Sequence, residues 1–266
     1  MASENAAPEI KQDQGDDKPV ILLVHGSWHS PKVYDKVRAK LTELGYESHA
    51  PRLPSLGDQP KLSWRVDVAA IHDWAIPLFE AGKKVILVAH SLSGVTATIA
   101  VQNQTTSARA AAGLKGGFHA AVFLCAFVAP QAGVDVITLF GGVWPPWSIP
   151  DEKYTGGTMR VNLDMAAQTL YSDLPEQEAA DWVAALLPNS QATVETTIPV
   201  SAGDVLGEGK IDCLYVLCTS DKTIAPGLQE VMAGSIPGAK VERIDASHSP
   251  MLSRPDEVAK LVVSTV

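Results

Sequence analysis

"VILVAHSLSG" (residues 85–94) runs from four consecutive apolar residues into a polar turn, and a helix is predicted to follow over residues 95–101. An unbroken apolar run of this length is typical of a strand that is buried on both faces. Ser91 stands at the junction, where a nucleophile elbow would raise a catalytic serine above the sheet. An ordinary strand-to-helix turn, with hydroxyls that cap the helix, explains the same residues. The rest of the chain has to decide between the two.

The elbow pattern is matched incompletely. The motif G-x-S-x-G has a glycine on each side of the nucleophile, and here Ala89 and Ser93 stand in those places. Both residues must fit into a tight turn. The side chain of Ser93 is expected to crowd the packing of the helix against the strands.

Apolar runs alternate with helical patterns along most of the chain. Together with the length of 266 residues, the alternation predicts one α/β domain with a parallel sheet and helices on both faces. The predicted strands cover residues 20–24, 46–50, 85–88, 119–128, 213–218 and 240–245. The main predicted helices cover residues 33–44, 64–80, 95–101, 226–233 and 255–263.

Residues 131–209 interrupt this alternation. They show no strong strand pattern, and they are too long for an ordinary connection. We interpret them as a helical cap inserted into a core of residues 19–130 and 210–266, after a polar tail of residues 1–18. Helices are expected over residues 163–171 and 176–187, and the spacing of Trp182 indicates a place in the cap's own core.

Composition and charge exclude several classes of function. The net charge of −9 argues against binding to nucleic acid, and no apolar stretch is long enough to span a membrane. Three scattered cysteines and a polar N-terminus without a signal peptide predict a cytoplasmic protein with reduced thiols. We find no glycine-rich phosphate loop and no metal cluster. His25 and His29 are four residues apart, but they follow a strand and not a helix, so a zinc site is not expected there. No cofactor is expected.

Three predicted strands end in residues that carry chemistry. They supply Ser91, Asp221 and His248, in the chain order of the α/β-hydrolase triad. A serine hydroxyl needs a base to take its proton, and His248 would serve as that base. Asp221 would hold the imidazole in the required tautomer. Asp135 is a rival for the acid, whereas Asp245 lies too close to His248 along the chain.

An oxyanion needs donors that are already in place. The backbone N–H groups of Leu92, directly after the proposed nucleophile, and of Ser27, after the first strand, are the candidates. The substrate pocket is expected beside them and under the cap. Its candidate residues are Gly26, Trp28, Phe127, Trp144 and Trp147, although both cap tryptophans could instead belong to the cap's core.

Four stretches carry a resemblance to a known family: "VILLVHGSWHS", "VILVAHSLSG", "YVLCTSDKTI" and "ASHSPMLSRP". With them the chain resembles the α/β-hydrolase superfamily, in the branch of the hydroxynitrile lyases and the salicylate-type methylesterases. The resemblance implies six parallel strands in the order 2-1-3-4-5-6. It also implies that Asp221 and His248 complete the triad.

The resemblance leaves three functions open. The favoured one is hydrolysis of an apolar or aromatic ester or lactone, so that the partner is a small molecule, with a homodimer as an open option. The second is lyase chemistry on a C–C bond. The related lyases, however, have a threonine and a lysine where this chain has Gly26 and Ser249. The third is a receptor that holds its ligand under the cap with little turnover.

Overall fold

The protein is described by a computed structural model for residues 18–151 and 157–266. Within them, a main sheet of six parallel strands and a small antiparallel sheet of three strands are present. The strands are β1 (Val20–Val24), β2 (Ser48–His49), β3 (Lys84–His90), β4 (Gly117–Leu124), β5 (Ser148–Ile149), β6 (Thr158–Val161), β7 (Asn189–Ser190), β8 (Asp212–Cys218) and β9 (Lys240–Ile244).

The same residues contain twelve α-helices, and a short 3₁₀ turn over Pro31–Tyr34 precedes the first of them. The helices are α1 (Asp35–Glu43), α2 (Trp64–Glu80), α3 (Ser93–Val101), α4 (Thr106–Ala111), α5 (Val136–Leu139), α6 (Leu163–Leu170), α7 (Glu176–Ala184), α8 (Ala192–Glu195), α9 (Ala202–Val205), α10 (Pro226–Gly234), α11 (Pro250–Ser253) and α12 (Pro255–Val263). None of them is long and apolar enough to cross a membrane.

The main sheet has the order β2-β1-β3-β4-β8-β9, which confirms the predicted order of the six core strands. β1 and β3 pair in register, with Val24 opposite Ala89, so both strands end at the same level. The loops that follow them therefore meet at the carboxyl edge of the sheet, where open α/β sheets bind ligands. All five residues of β1 are buried, as the unbroken apolar run predicted.

The insertion (residues 131–209) contains both predicted helices, as α6 and α7. It also contains β5, β6 and β7, which form an antiparallel sheet that the interpretation as a helical cap did not include. These strands have two to four residues each, which is too short to show an alternating pattern in the sequence. The predicted tail lies outside the described residues except for Lys18.

Candidate active site

Ser91 occupies a sharp turn between β3 and α3. Its φ of +54° lies in the left-handed region that residues with a side chain rarely adopt. Its N–H donates to Leu124 O at 3.2 Å, and its carbonyl accepts from Gly94 N at 3.1 Å and Phe127 N at 2.9 Å. A Cβ on Gly94 would lie 2.3 Å from Phe127 O, so only glycine lets α3 approach the loop after β4. This is the geometry of a nucleophile elbow.

Ser93 fits the elbow in a way that the sequence did not indicate. Its side chain is buried, and its hydroxyl can donate to the carbonyls of His25, Val24 (3.3 Å) and His90 (3.0 Å). The hydroxyl lies among carbonyl groups at the end of β1 and ties the turn to the neighbouring strand, while the close helix approach falls on the next residue.

Three side chains from separate loops form a hydrogen-bonded line. His248 Nε2 lies 2.8 Å from Ser91 Oγ, and His248 Nδ1 lies 2.8 Å from Asp221 Oδ2. Asp221 follows β8 and His248 follows β9, and all three residues are buried. The carboxylate cannot donate, so Nδ1 carries the proton and Nε2 is left to accept from the serine hydroxyl.

The carboxylate of Asp221 is held from several directions. Its Oδ1 accepts from Thr223 N at 2.7 Å and Ile224 N at 3.0 Å, and its Oδ2 also accepts from Gln229 Nε2 at 3.0 Å. These donors fix the face that the carboxylate presents to His248. Gln229 was not among the candidate residues. The sequence signal that could have identified Gln229 is its place as a polar residue on the buried side of a predicted helix.

The rival acid lies elsewhere. Asp135 is partly exposed, and its Oδ1 accepts from Thr138 N and Thr138 Oγ1, both at 2.7 Å, at the start of α5. Asp245 is exposed and accepts from Ser220 Oγ at 2.9 Å. The carboxylates of Asp135 and Asp245 thus accept hydrogen bonds from other residues, and the acid that contacts His248 is Asp221.

The two residues whose backbone N–H groups were predicted as oxyanion donors lie at the cavity beside Ser91. Ser27 and Leu92 both line that cavity, as the sequence predicted for an oxyanion site. Within the described residues, neither N–H donates to another group. Free donors of this kind suit an oxygen that gains negative charge.

The cavity beside Ser91 has an aromatic wall. Trp28 packs edge-on against Trp147, which packs against Phe140, which packs against Phe127, with ring centroids 5.2 to 5.8 Å apart. Trp144 lines the same cavity. The remaining lining residues are Val136, Ile137, Pro145, Ser148, Met159, Val194 and Thr223.

Gly26 lies behind this cavity, among the residues that line a smaller neighbouring one. A Cβ at this position would come within 2.8 Å of Ser91 Cβ and 2.9 Å of His90 Nδ1. A larger residue therefore could not be placed here without moving the elbow. Ser249, directly after His248, is fully buried.

Three buried histidines near the elbow stay neutral in the folded protein. Burial lowers the pKa of His25 to about 4, that of His29 to about 3, and that of His90 well below its usual value. When unfolded, these rings bind protons near pH 6.5, so they make stability fall as pH drops from about 6.5 towards 4. Burial raises the pKa of Asp67 to about 6, so this carboxyl makes stability rise as pH drops. The effect of the three histidines is expected to be larger than that of this one carboxyl.

We therefore expect the Tm to be lower at about pH 4.5 than at pH 7. His25→Gln keeps a donor and an acceptor but cannot be protonated, so its Tm should depend less on pH than that of the wild type. His119→Gln, which changes a half-buried residue of β4, is the matched control. A Tm that is equal at both pH values would contradict this prediction.

His90, Cys125 and His248 bring three potential metal ligands within 4.8 Å of one another. Most of their potential ligand atoms are engaged in other contacts, whereas His90 Nδ1 is buried without a hydrogen-bond partner among the described residues. Both ring nitrogens of His248 face Ser91 and Asp221, and its carbonyl accepts from His90 Nε2 at 2.7 Å and Cys125 Sγ at 3.4 Å. His90 and Cys125 therefore hold the backbone of His248 in place through its carbonyl.

Comparisons with known proteins show what the chain is similar to. The chain is 28% identical over 249 residues to an α/β hydrolase of Aspergillus novofumigatus, covering 92% of this chain and 95% of that one. It is 27% identical over 255 residues to Methylesterase 9 of Arabidopsis thaliana, covering 89% and 94%. The crystal structure of polyneuridine aldehyde esterase superposes with a TM-score of 0.71 at 18% identity, over 93% of this chain and 99% of that one.

The last likeness shows the fold alone, and the family follows from a separate match. The sequence model of the alpha/beta hydrolase family matches residues 21–261, which include the main sheet, except for Val20, and the loops that carry Ser91, Asp221 and His248. The chain therefore belongs to the alpha/beta hydrolase family.

Proposed function

We propose that the protein is a serine hydrolase that cleaves a carboxylic ester or lactone through an acyl-enzyme. The observation that carries this proposal is the line from Ser91 through His248 to Asp221, with 2.8 Å at each step, beside two unpartnered N–H groups. Nucleophile, base, orienting acid and oxyanion donors are the parts that acyl transfer needs.

Each part has a defined task in the proposed reaction. Ser91 Oγ attacks the ester carbonyl while His248 Nε2 takes its proton, and the N–H groups of Ser27 and Leu92 stabilise the resulting oxyanion. The tetrahedral centre then collapses, and His248 returns the proton to the departing alcohol. Water, activated by the same imidazole, attacks the acyl-enzyme and releases the acid. Asp221 stabilises the imidazolium in both halves.

The character of the cavity supports an apolar or aromatic substrate. Its wall is built from aromatic rings, and none of the lining residues in the described parts of the chain carries a charge. An uncharged ester enters such a site without an unpaired charge being buried. Esterases and methylesterases among the relatives are consistent with an ester as the substrate.

The size of the cavity should set the choice of substrate. Trp147 contacts both Trp28 and Phe140, so Trp147→Ala removes the centre of the aromatic wall. We expect this variant to change the ratio of kcat/KM between bulky and small aryl esters by about 10- to 100-fold, because a pocket wall discriminates by roughly 1–3 kcal/mol. Turnover of the smallest ester should stay close to that of the wild type.

Trp182→Ala is the matched control, because Trp182 lies on α7 and is not among the cavity-lining residues. It should leave the ratio unchanged. An equal loss with every ester in Trp147→Ala would show instead that Trp147 is needed for folding of the insertion.

A hydroxynitrile lyase is disfavoured by two positions. In the related lyases a threonine contacts the cyanohydrin hydroxyl, but a side chain at Gly26 would collide with Ser91 and His90. A lysine supplies positive charge to the departing cyanide, whereas Ser249 is uncharged and fully buried. Without that cation, an anion would form unpaired in an apolar site.

The direct test is a screen of aryl esters, methyl esters and lactones of increasing size, run beside cyanide release from mandelonitrile-type cyanohydrins. We expect multiple turnovers with at least one ester or lactone and no efficient cyanide release. Cyanide release without ester turnover would replace the proposal by lyase chemistry. A single turnover with retained product would point to a ligand-holding receptor.

A further inference from the structure

One short stretch of the insertion, residues 169–173, reaches the loop that carries His248. Both carboxylate oxygens of Asp173 accept from Ser247, one from its N–H at 2.9 Å and the other from its hydroxyl. Burial raises the pKa of Asp173, but the hydrogen bonds from Ser247 outweigh burial and bring this pKa below its usual value. The carboxylate is therefore charged at neutral pH and holds the residue next to His248 by two charge-assisted hydrogen bonds.

The same stretch reaches the loop after β1. His29 Nδ1 donates to Ser27 O at 2.8 Å, so in the neutral ring Nε2 must accept, and the Tyr171 hydroxyl donates to it at 2.8 Å. Both side chains are buried, which keeps the ring neutral. Tyr171 is thus connected through one imidazole to Ser27, whose N–H is a proposed oxyanion donor.

A third contact reaches the loop that carries the acid. Thr223 Oγ1 donates to Thr169 O at 3.1 Å, while Thr223 N donates to Asp221 Oδ1 at 2.7 Å. Thr169, Tyr171 and Asp173, which lie within five residues of one another, therefore contact the loops that carry the acid, the oxyanion donor and the base. These loops follow β9, β8 and β1, and the main sheet separates β1 from β8 by two other strands.

We propose that residues 169–173 form a positioning element, in which Asp173 and Tyr171 hold the His248 and Ser27 loops at the distances that acyl transfer requires. This inference rests on the proposed ester hydrolysis. It assigns the insertion a second task besides lining the cavity. Misplacing a reacting group by about 1 Å can cost on the order of 100-fold in rate, so contacts that never touch the substrate can still set kcat.

Two conservative variants test the element. Asp173→Asn replaces one acceptor by an amide that faces the donors of Ser247, and it should lower kcat by about 10- to 100-fold with KM nearly unchanged. Tyr171→Phe removes only the hydroxyl that contacts His29, and it should lower kcat by about 3- to 10-fold. Asp173→Asn combined with Ser247→Ala should lose little more than Asp173→Asn alone, since both remove one interaction.

The matched controls are Asp164→Asn, an exposed carboxylate on α6, and Tyr46→Phe, a half-buried tyrosine before β2. They should leave kcat unchanged. Tm is measured for all variants, and kcat is expressed per folded enzyme. A fall in Tm with kcat unchanged in Asp173→Asn and Tyr171→Phe would overturn the proposal, because the stretch would then serve folding alone.

A second readout separates this proposal from the proposed function. The rate of Ser91 phosphonylation by a fluorophosphonate depends on the base and the oxyanion donors but on no particular ester. This rate should fall in Asp173→Asn and Tyr171→Phe by factors similar to those for kcat, even if no ester in the screen is turned over. If wild type labels at Ser91 and both variants label equally fast, the positioning role is wrong while the proposed hydrolase function stands.

Discussion

Ser91→Ala is expected to lower kcat/KM for ester hydrolysis by at least about 10³-fold. The hydroxyl is the only group in the line of Ser91, His248 and Asp221 that can form the acyl-enzyme, and what survives its removal comes from binding and the oxyanion donors. The measurement is kcat/KM with the best ester of the screen. A fluorophosphonate should label wild-type protein at Ser91 and leave Ser91→Ala unlabelled.

Ser93 provides the matched control two residues away. Its hydroxyl is engaged with carbonyl groups at the end of β1, so it should not react with the fluorophosphonate. Labelling at Ser93, or full ester turnover by Ser91→Ala, would show that Ser91 is not the nucleophile.

Asp221→Asn should lower kcat by about 10⁴-fold while the fold is retained. An asparagine can present its amide N–H₂ to His248 Nδ1, which then has to accept, so the imidazole takes the tautomer that cannot accept the serine proton. The backbone donors at Thr223 and Ile224 can still bind the remaining amide oxygen, which favours that orientation. The measurements are kcat and the circular dichroism of the variant.

Asp135→Asn is the control for this substitution. Asp135 caps α5 and contacts Thr138, so its replacement should change kcat by less than about twofold. If Asp221→Asn left kcat unchanged and Asp135→Asn lowered it by several orders of magnitude, the acid would be Asp135 and not Asp221.

The main sheet could be predicted from sequence because its signals are local. Buried parallel strands appear as unbroken apolar runs, as over Val20–Val24, and their order followed from the family resemblance. Ser91, Asp221 and His248 could be selected because each follows a strand directly, and the ends of parallel strands meet at one edge.

The contacts that were missed become visible only when the partner residues are placed in the folded structure. Gln229 and Asp173 look like ordinary helix and loop residues until Asp221 and Ser247 are placed beside them. The hydrogen bonds of Ser93 were missed because the sequence does not show that carbonyl groups surround its hydroxyl. The short strands β5 and β7 depend on pairing with β6, and two residues carry no periodic signal.

In the proposed ester hydrolysis, the uncharged wall of the cavity also affects how the product leaves. Hydrolysis turns a neutral ester into an acid that ionises at neutral pH, and the described lining residues offer no cation to pair with the new carboxylate. The apolar wall therefore binds the neutral ester better than the charged product. Escape of the acid should be fast, feedback by accumulated acid weak at pH 7, and such feedback stronger near pH 4, where the acid becomes neutral again.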